Sequence, residues 1–391
     1  MQNSRERLFN FAALSLWITA SMAMAAYVFI KFGQDFRGYY AAGRVLLARG
    51  NPYDYSLVAR VLLEVTGRAG NNPFYYPLWF GWFIAPLSVL SFQSARIIWM
   101  IFNWALWMIG LLRLQGLLDF PRKGWRTWLI NLLATFIFAW TTWKFEQTGI
   151  LLFVIMVEVL IAYQKQQWNR MGVFLALALI KPNIMPLPVL AIAIWLIRNR
   201  NWRPVIIAGS VLAILIIITT ALTPGWYQPF FQSNFGQGLT QVLDGPNKVT
   251  GTRLNTTLLD WLKWFSVPKF ARSGIYGIVV FLALLFLGSV IWKSDSILDV
   301  SVTSLLVAFA IAPYALQYDF PPLVIVLFWA LAGLRSPKVK LIPIFIVAFI
   351  ASVLIWEHPI SDGYWIVIGL SVLTFLVSKS SANINFSQSS A

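Results

Sequence analysis

Asp35 is the first residue of this chain placed to do chemistry. It follows an apolar run almost at once, in Lys31-Phe-Gly-Gln-Asp35-Phe-Arg37-Gly-Tyr39-Tyr40. The sequence holds only 14 acidic residues, so each carboxylate is informative. A carboxylate at a bilayer surface, walled by aromatics, can take a proton from a reacting hydroxyl. Asp35 also stands where an Asp caps a helix, ahead of a helical pattern from Tyr39 to Arg49. Both roles fit the residues alone. Lys181 is the second candidate. It lies inside the apolar stretch 171–197, beside Pro182. An ionisable group within a membrane segment points to function, although a long side chain near a proline break also reaches an interface easily.

Other polar groups cluster in turns. Lys144, Glu146 and Gln147 form one. Asp319 lies in Pro313-Tyr314-Ala-Leu-Gln317-Tyr318-Asp319, and His358 has Glu357 and Asp362 nearby. The segment 224–272 carries Asp244-Gly-Pro-Asn-Lys248 and Arg253-Leu-Asn255-Thr-Thr. Cations with hydroxyls and an amide suit a phosphate or a sugar, and they suit an ordinary solvated loop as well. Glu158 falls within an apolar run, where it must pair or face the cytoplasmic end. There is no cysteine and one histidine. That excludes disulfides and thiolate chemistry, and it leaves a histidine zinc site without ligands. No phosphate-cradling glycine loop and no Ser-His-Asp order is present.

The elements that must position these groups are membrane helices. The chain has 391 residues, 59% hydrophobic and 11% charged, with a mean hydropathy of +0.71. A soluble domain carries about 25% charged residues, so this chain cannot cover a globular surface with polar groups. Its 20 Trp, 30 Phe and 13 Tyr suit two interfacial belts. The net charge of +16 sits mostly in short loops between apolar runs. The positive-inside rule accounts for it without nucleic acid.

Apolar runs recur at 8–30, 77–90, 93–112, 126–143, 149–163, 171–197, 203–223, 274–292, 298–314, 321–334, 341–356 and 364–378. Backbone in hydrocarbon must satisfy itself, so these are helices. The expectation is an all-α, polytopic integral membrane protein of about 11–13 transmembrane helices, forming a single domain over 1–378 with a disordered tail at 379–391. The first run follows Arg5 and Arg7 with no clean cleavage site after it, which reads as an uncleaved span. Lys181-Pro182-Asn183, Pro186 and Pro188 break the run 171–197 into half-spans or a hairpin turning at Lys181. The loop 31–76 holds two amphipathic pieces, Tyr39 to Arg49 and Ser56 to Leu63, too short to span and suited to the membrane surface. Gly50 closes the first piece, and Asn51-Pro52 turns the chain.

Basic clusters fall at Arg113–Arg126, Lys165–Arg170, Arg198–Arg203 and Arg335–Lys340. Placing all four in the cytoplasm puts 224–272 outside. With an inside N-terminus it conflicts with two full spans between 77 and 112; an odd number of crossings there would remove the conflict, or else a break near Lys181 that does not make two full spans.

The order of motifs is specific. One span leads to Asp35-Phe-x-x-Tyr-Tyr-Ala-Ala, Gly50-Asn-Pro-Tyr53, Tyr76-Pro77, Pro86-Leu87, Glu146-Gln147, Arg170-Met-Gly172, Lys181-Pro182 and finally Pro313-Tyr314 with Tyr318-Asp319. Over residues 8–335 this resembles glycosyltransferase family 87, which shares the GT-C membrane fold and includes polyprenyl-phosphate-mannose-dependent mannosyltransferases. The family usually has Tyr-Pro-Pro where this chain has Tyr76-Pro77-Leu78, and Gly-Gln where it has Glu146-Gln147.

The resemblance implies a hexosyltransferase of the cell membrane whose active site faces the extracytoplasmic side. It would move a sugar from a polyprenyl-phosphate donor to a lipid or glycan acceptor, with inversion and Asp35 as base. Lys181, Arg253, Arg37 and Lys248, in that order, are the cations for the leaving phosphate. Tyr39, Tyr40, Gln147, Asp319 and His358 complete the substrate-binding set. No metal and no cofactor is expected, in keeping with the lack of an Asp-x-Asp motif. A transporter or lipid flippase could use the same broken helix, with a site at mid-membrane and alternating access. A non-catalytic scaffold would leave the polar residues of the outward loops without a task.

Overall fold

The computed structural model describes residues 4–31, 35–67, 74–120, 124–232, 257–333, 366–371 and 374. Hydrocarbon offers a backbone no partner but itself, and the described residues fold as helices joined by turns. The helices are α1 (Ser4–Lys31), α2 (Phe36–Leu47), α3 (Tyr55–Thr66), α4 (Leu78–Ile84), α5 (Phe92–Leu117), α6 (Trp125–Ala134), α7 (Trp140–Phe145) and α8 (Gly149–Gln164). They continue with α9 (Trp168–Ala178), α10 (Pro186–Arg198), α11 (Arg203–Leu222), α12 (Tyr227–Phe231), α13 (Leu258–Trp264), α14 (Lys269–Lys293), α15 (Ile297–Ile311) and α16 (Leu323–Gly333).

Among the described residues, α1, α5, α11 and α14 are each long and apolar enough to cross a membrane unaided. The shorter α8, α10, α15 and α16 are also apolar. A π-helical turn, Thr135–Ala139, joins α6 to α7. The all-α membrane architecture expected from composition is therefore what the chain adopts. α11 and α14 show the lipid face most plainly, with Ile216, Ile217, Phe281 and Phe286 exposed.

Contacts fix the directions of the helices. Trp17 stacks on Trp128 and Tyr27 on Trp140, so α1 runs alongside α6 and α7 in the same sense. Ser21 lies beside Trp104 and Met108, and Phe29 beside Arg96, so α5 runs back. Glu158 of α8 pairs with Arg113 of α5 and Arg170 of α9. Arg203 donates to Asn169, and Arg198 donates to the carbonyls of Ile291 and Ser294. Three of the four basic clusters thus converge at one end of the bundle, and Glu158 is paired as its position requires. The fourth, Arg335–Lys340, lies outside the described residues.

The crossing conflict also resolves. Only α5 is long enough to span between residues 77 and 117. α4 has 7 residues, about 10 Å at 1.5 Å per residue, and turns back through the short 3-10 segment Leu87–Val89. The stretch 171–197 is the hairpin: α9 rises from the basic end, turns at Lys181, and α10 returns to it.

Two local readings need correction. α2 does not lie on a membrane surface. Nine of its residues, including Phe36, Tyr39, Tyr40 and Leu46, are buried against α4, α5 and the 87–89 turn. The small residues Gly38, Ala41, Ala42 and Gly43 permit this approach, since a Cβ at Gly43 would sit 2.2 Å from Ser88 Oγ. α3 covers α2 through Val58 and Leu62. Its N-cap, Asp54, accepts from the Ser56 hydroxyl and amide, which holds its carboxyl below the usual carboxylate range. The end of α2 is also built differently. Arg49, at φ 59°, takes the left-handed position, while Gly50 is needed for space, because a Cβ there would meet Val45 Cγ1 at 2.8 Å.

Close helix packing elsewhere depends on Gly172, where a Cβ would lie 2.6 Å from the Pro204 carbonyl oxygen of α11. Gly172→Ala should part α9 from α11 and cost about 1–3 kcal/mol as overpacking. Gly277→Ala, in α14 with nothing within 4 Å of the new methyl, should leave stability unchanged or raise it slightly. Thermal unfolding of the two purified variants in detergent checks the contrast.

Candidate active site

The site forms where four turns meet at the end of the bundle opposite the basic clusters. The first brings Asp35 at the start of α2. The second is 146–148 between α7 and α8, and the third is the hairpin turn at Lys181. The fourth is the segment 312–322, with its 3-10 turn Gln317–Asp319.

The turn at 146–148 is pinned from below. Glu146 closes α7 in the left-handed conformation, φ 54°. Its carboxylate pairs with Arg96 of α5, and its carbonyl accepts from Trp99 Nε1 at 2.8 Å. The same Arg96 donates to the Phe29 carbonyl at 2.7 Å and lies over the Phe29 ring. One guanidinium therefore ties the top of α1, the top of α5 and the turn that carries Gln147. A glycine suits a left-handed position without help. Glu146 holds it with a buried ion pair in its place.

Gln147 is the hub. Its Nε2 donates to Asp35 Oδ2 at 2.6 Å. Its Oε1 accepts from the Tyr39 hydroxyl at 2.5 Å and the Tyr76 hydroxyl at 2.8 Å. The amide can sit only one way round, because its oxygen must face hydroxyl donors and its NH₂ the carboxylate. Tyr39 and Tyr76 lie 2.8 Å apart through their oxygens. Lys181 Nζ donates to the Tyr76 oxygen at 3.1 Å and pairs with Asp319 Oδ1 at 2.6 Å. Asp319 Oδ2 accepts the Leu316 amide at 3.0 Å.

Burial is graded along this network. Lys181, Asp319, Gln147, Tyr39 and Tyr76 are buried, whereas Asp35 and Arg37 are only half-buried. Asp35 holds the N-cap position of α2, yet its side chain makes no capping hydrogen bond. Its carboxylate is turned to Gln147 instead.

The structure thus joins Asp35, Tyr39, Gln147, Lys181 and Asp319 in one network, with Arg37 in the first turn of α2. Tyr40 is buried beside them, but its hydroxyl donates to the Leu90 carbonyl at 2.7 Å, away from the cluster. Arg253, Lys248 and His358 lie outside the described residues. Two participants escaped the sequence reading. Tyr76 reads as one more interfacial aromatic in Phe74-Tyr75-Tyr76-Pro77, and Tyr318, whose ring lies 5.0 Å from Lys181 Nζ, enters only as the neighbour of Asp319; neither stands among the expected site residues. The sequence signal for each was its place in the ordered motifs, Tyr76-Pro77 and Tyr318-Asp319.

The defining pattern of glycosyltransferase family 87 matches residues 74–316. The chain belongs to that family. This makes the protein a membrane glycosyltransferase, and a GT-C-like framing is consistent with it. No curated protein and no solved structure gives a match. Within the matched stretch fall Tyr76, Gln147 and Lys181, while Asp35 and Asp319 lie on either side of it. For a family 87 enzyme the arrangement offers a half-buried carboxylate held by an amide, with a buried cation behind it. Lys181, expected first among the phosphate ligands, has its charge already matched by Asp319.

The pins can be tested separately from the chemistry. Arg96→Met leaves Glu146 buried without its cation and should cost about 3–5 kcal/mol. The double variant Arg96→Met/Glu146→Gln should recover much of that loss. Thermal unfolding of the three proteins reads the difference. Gly149→Ala would place a Cβ 2.1 Å from the Tyr318 carbonyl oxygen. It should therefore push the Asp319 segment off α8 and lower both stability and sugar transfer, by about 1–3 kcal/mol in the former.

Proposed function

We propose that this family 87 enzyme transfers one sugar, mannose as the first donor to try, from a polyprenyl phosphate to a hydroxyl of a lipid or glycan acceptor. The reaction takes place at the extracytoplasmic face of the cell membrane, with inversion. The observation that carries the reading is the state of Asp35: half-buried, not engaged in capping its helix, and oriented by Gln147. A positioned carboxylate is what a single displacement at an anomeric carbon requires of its base.

In that step the acceptor oxygen bonds to the anomeric carbon as its proton passes to Asp35. The bond from that carbon to the phosphate oxygen breaks with its electron pair, and polyprenyl phosphate leaves. Negative charge builds on the leaving oxygen, and fixed cations stabilise it. Arg37, one helical turn or less from Asp35, is the described candidate; Arg253 and Lys248 of the segment 224–272 are the other cations proposed for this task. Tyr39 orders the base through Gln147, and Tyr40 supplies wall. A protonated base returns its proton to water after the product leaves. The side assigned to the site follows from charge. The Arg113, Arg170 and Arg203 end belongs in the cytoplasm by the positive-inside rule, which sends Asp35 to the other face.

Asp35→Asn keeps the volume and the hydrogen bond to Gln147 in a modified form but removes the base. Transfer of radiolabelled sugar from a panel of polyprenyl-phosphate sugars, by protein in lipid with host lipids and glycans as acceptors, should fall by about 10²–10⁴. Thermal stability should stay close to that of the parent. Turnover at the parent rate would remove Asp35 from the role of base.

A further inference from the structure

The buried ion pair Lys181–Asp319 is the least expected feature of the site. A lysine that binds a leaving phosphate needs donors and charge to spare. Lys181 Nζ instead lies 2.6 Å from Asp319 Oδ1 and 3.1 Å from the Tyr76 hydroxyl, between the rings of Tyr76 and Tyr318 at 5.3 and 5.0 Å. Its side chain is 8% exposed and that of Asp319 is 1% exposed. A phosphate would have to displace a carboxylate that has no other cation beside it among the described contacts.

On the side away from Asp319, a line of hydrogen bonds leads from Lys181 towards Asp35. Lys181 donates to the Tyr76 oxygen. A phenol has one proton, and with the Tyr76 oxygen already accepting from Lys181, that proton has Gln147 Oε1 at 2.8 Å, the Tyr39 oxygen at 2.8 Å and Thr148 Oγ1 at 3.3 Å within reach. Directly, or through the Tyr39 hydroxyl that donates to the same Oε1 at 2.5 Å, the line leads on to Gln147. Gln147 Oε1, thus claimed, turns its Nε2 to Asp35 Oδ2 at 2.6 Å. A chain of donors with a single direction polarises each successive bond. It begins at an ammonium and ends on the carboxylate read as the base.

We propose that Lys181 and Asp319 are positioning residues that act on Asp35 through Tyr76 and Gln147, and that Lys181 does not hold the donor phosphate. Asp319 keeps Lys181 charged and in place. Lys181 turns the Tyr76 proton away from itself, and the Tyr76 and Tyr39 hydroxyls together decide which end of the Gln147 amide faces Asp35. The proposal rests on Asp35 being the base, and it adds a mechanism for how a base at a half-exposed turn keeps one orientation.

Two variants separate this from phosphate binding. Tyr76→Phe removes one hydroxyl and keeps the ring. Lys181→Met/Asp319→Asn removes both charges together, so no buried ion is stranded. In each, kcat for transfer should fall about tenfold with the donor KM within about twofold. The acidic limb of the kcat profile should move to higher pH by about half a unit or more, because donors to a carboxylate favour its ionised form. The same shift should appear without turnover, in the infrared titration of the Asp35 carboxylate taken as the difference from the matching Asp35→Asn protein. A donor KM raised about tenfold in the double variant, with the Asp35 titration unmoved, would overturn the proposal and return Lys181 to the phosphate. An unmoved titration in both folded variants would overturn it on its own. If the infrared shift is present while no donor on the panel is used, the positioning chain stands and the donor assignment fails.

Discussion

A charge inside an apolar bundle must be matched where it sits, because neither lipid nor a packed core can solvate it. Three buried carboxylates answer this constraint, and between them they hold the described part of the molecule together. Glu158 joins α5, α8 and α9 at the basic end through Arg113 and Arg170. Glu146 joins the turn after α7 to α5 and, through Arg96, to the top of α1. Asp319 joins the segment before α16 to the α9–α10 hairpin through Lys181. By contrast the surface pair Arg198–Asp295, 3.7 Å apart with Asp295 almost fully exposed, contributes little.

The same constraint explains where the site lies. Two of the three pairs sit at one end of the bundle, and Gln147 hangs between them. One side of its turn is fixed by Glu146 and Arg96, and its amide oxygen is fixed by hydroxyls that lead back to Lys181. Asp35 meets the free side of that amide at the start of a buried helix. A half-exposed carboxylate is thereby held by groups that cannot easily move, since each is part of a buried pair or a ring stack. Rigid support behind an accessible carboxylate is the arrangement that the base proposed above calls for. Small residues at the contacts, Gly43, Gly149 and Gly172, let the backbones carrying these groups come close enough to meet.

Placing a glycosyltransferase of family 87 on this frame also accounts for the departure at Glu146. The residue takes a left-handed backbone that favours glycine, and its carboxylate is matched by Arg96. The cost of an unusual conformation and the cost of a buried charge are offset by one interaction, which at the same time anchors α1.

Much was legible in the residues themselves. Composition and the spacing of apolar runs were enough for the all-α membrane architecture, since hydrocarbon admits no other backbone for such runs. Lys181-Pro182 marked a break that became a hairpin, and Glu158 marked a pair before its partners were visible. Asp35, Gln147, Lys181 and Asp319 stood out because polar groups are few. Tertiary structure decided the rest. It alone showed that α4 is too short to cross, that α2 is buried and not superficial, and that Asp35 serves Gln147 and not its own helix. It also drew Tyr76 out from a crowd of interfacial aromatics. The reason is physical: hydrophobic periodicity depends on neighbours along the chain, whereas the partner of a buried charge is 50, 45 or 138 residues away and is set only when the helices pack.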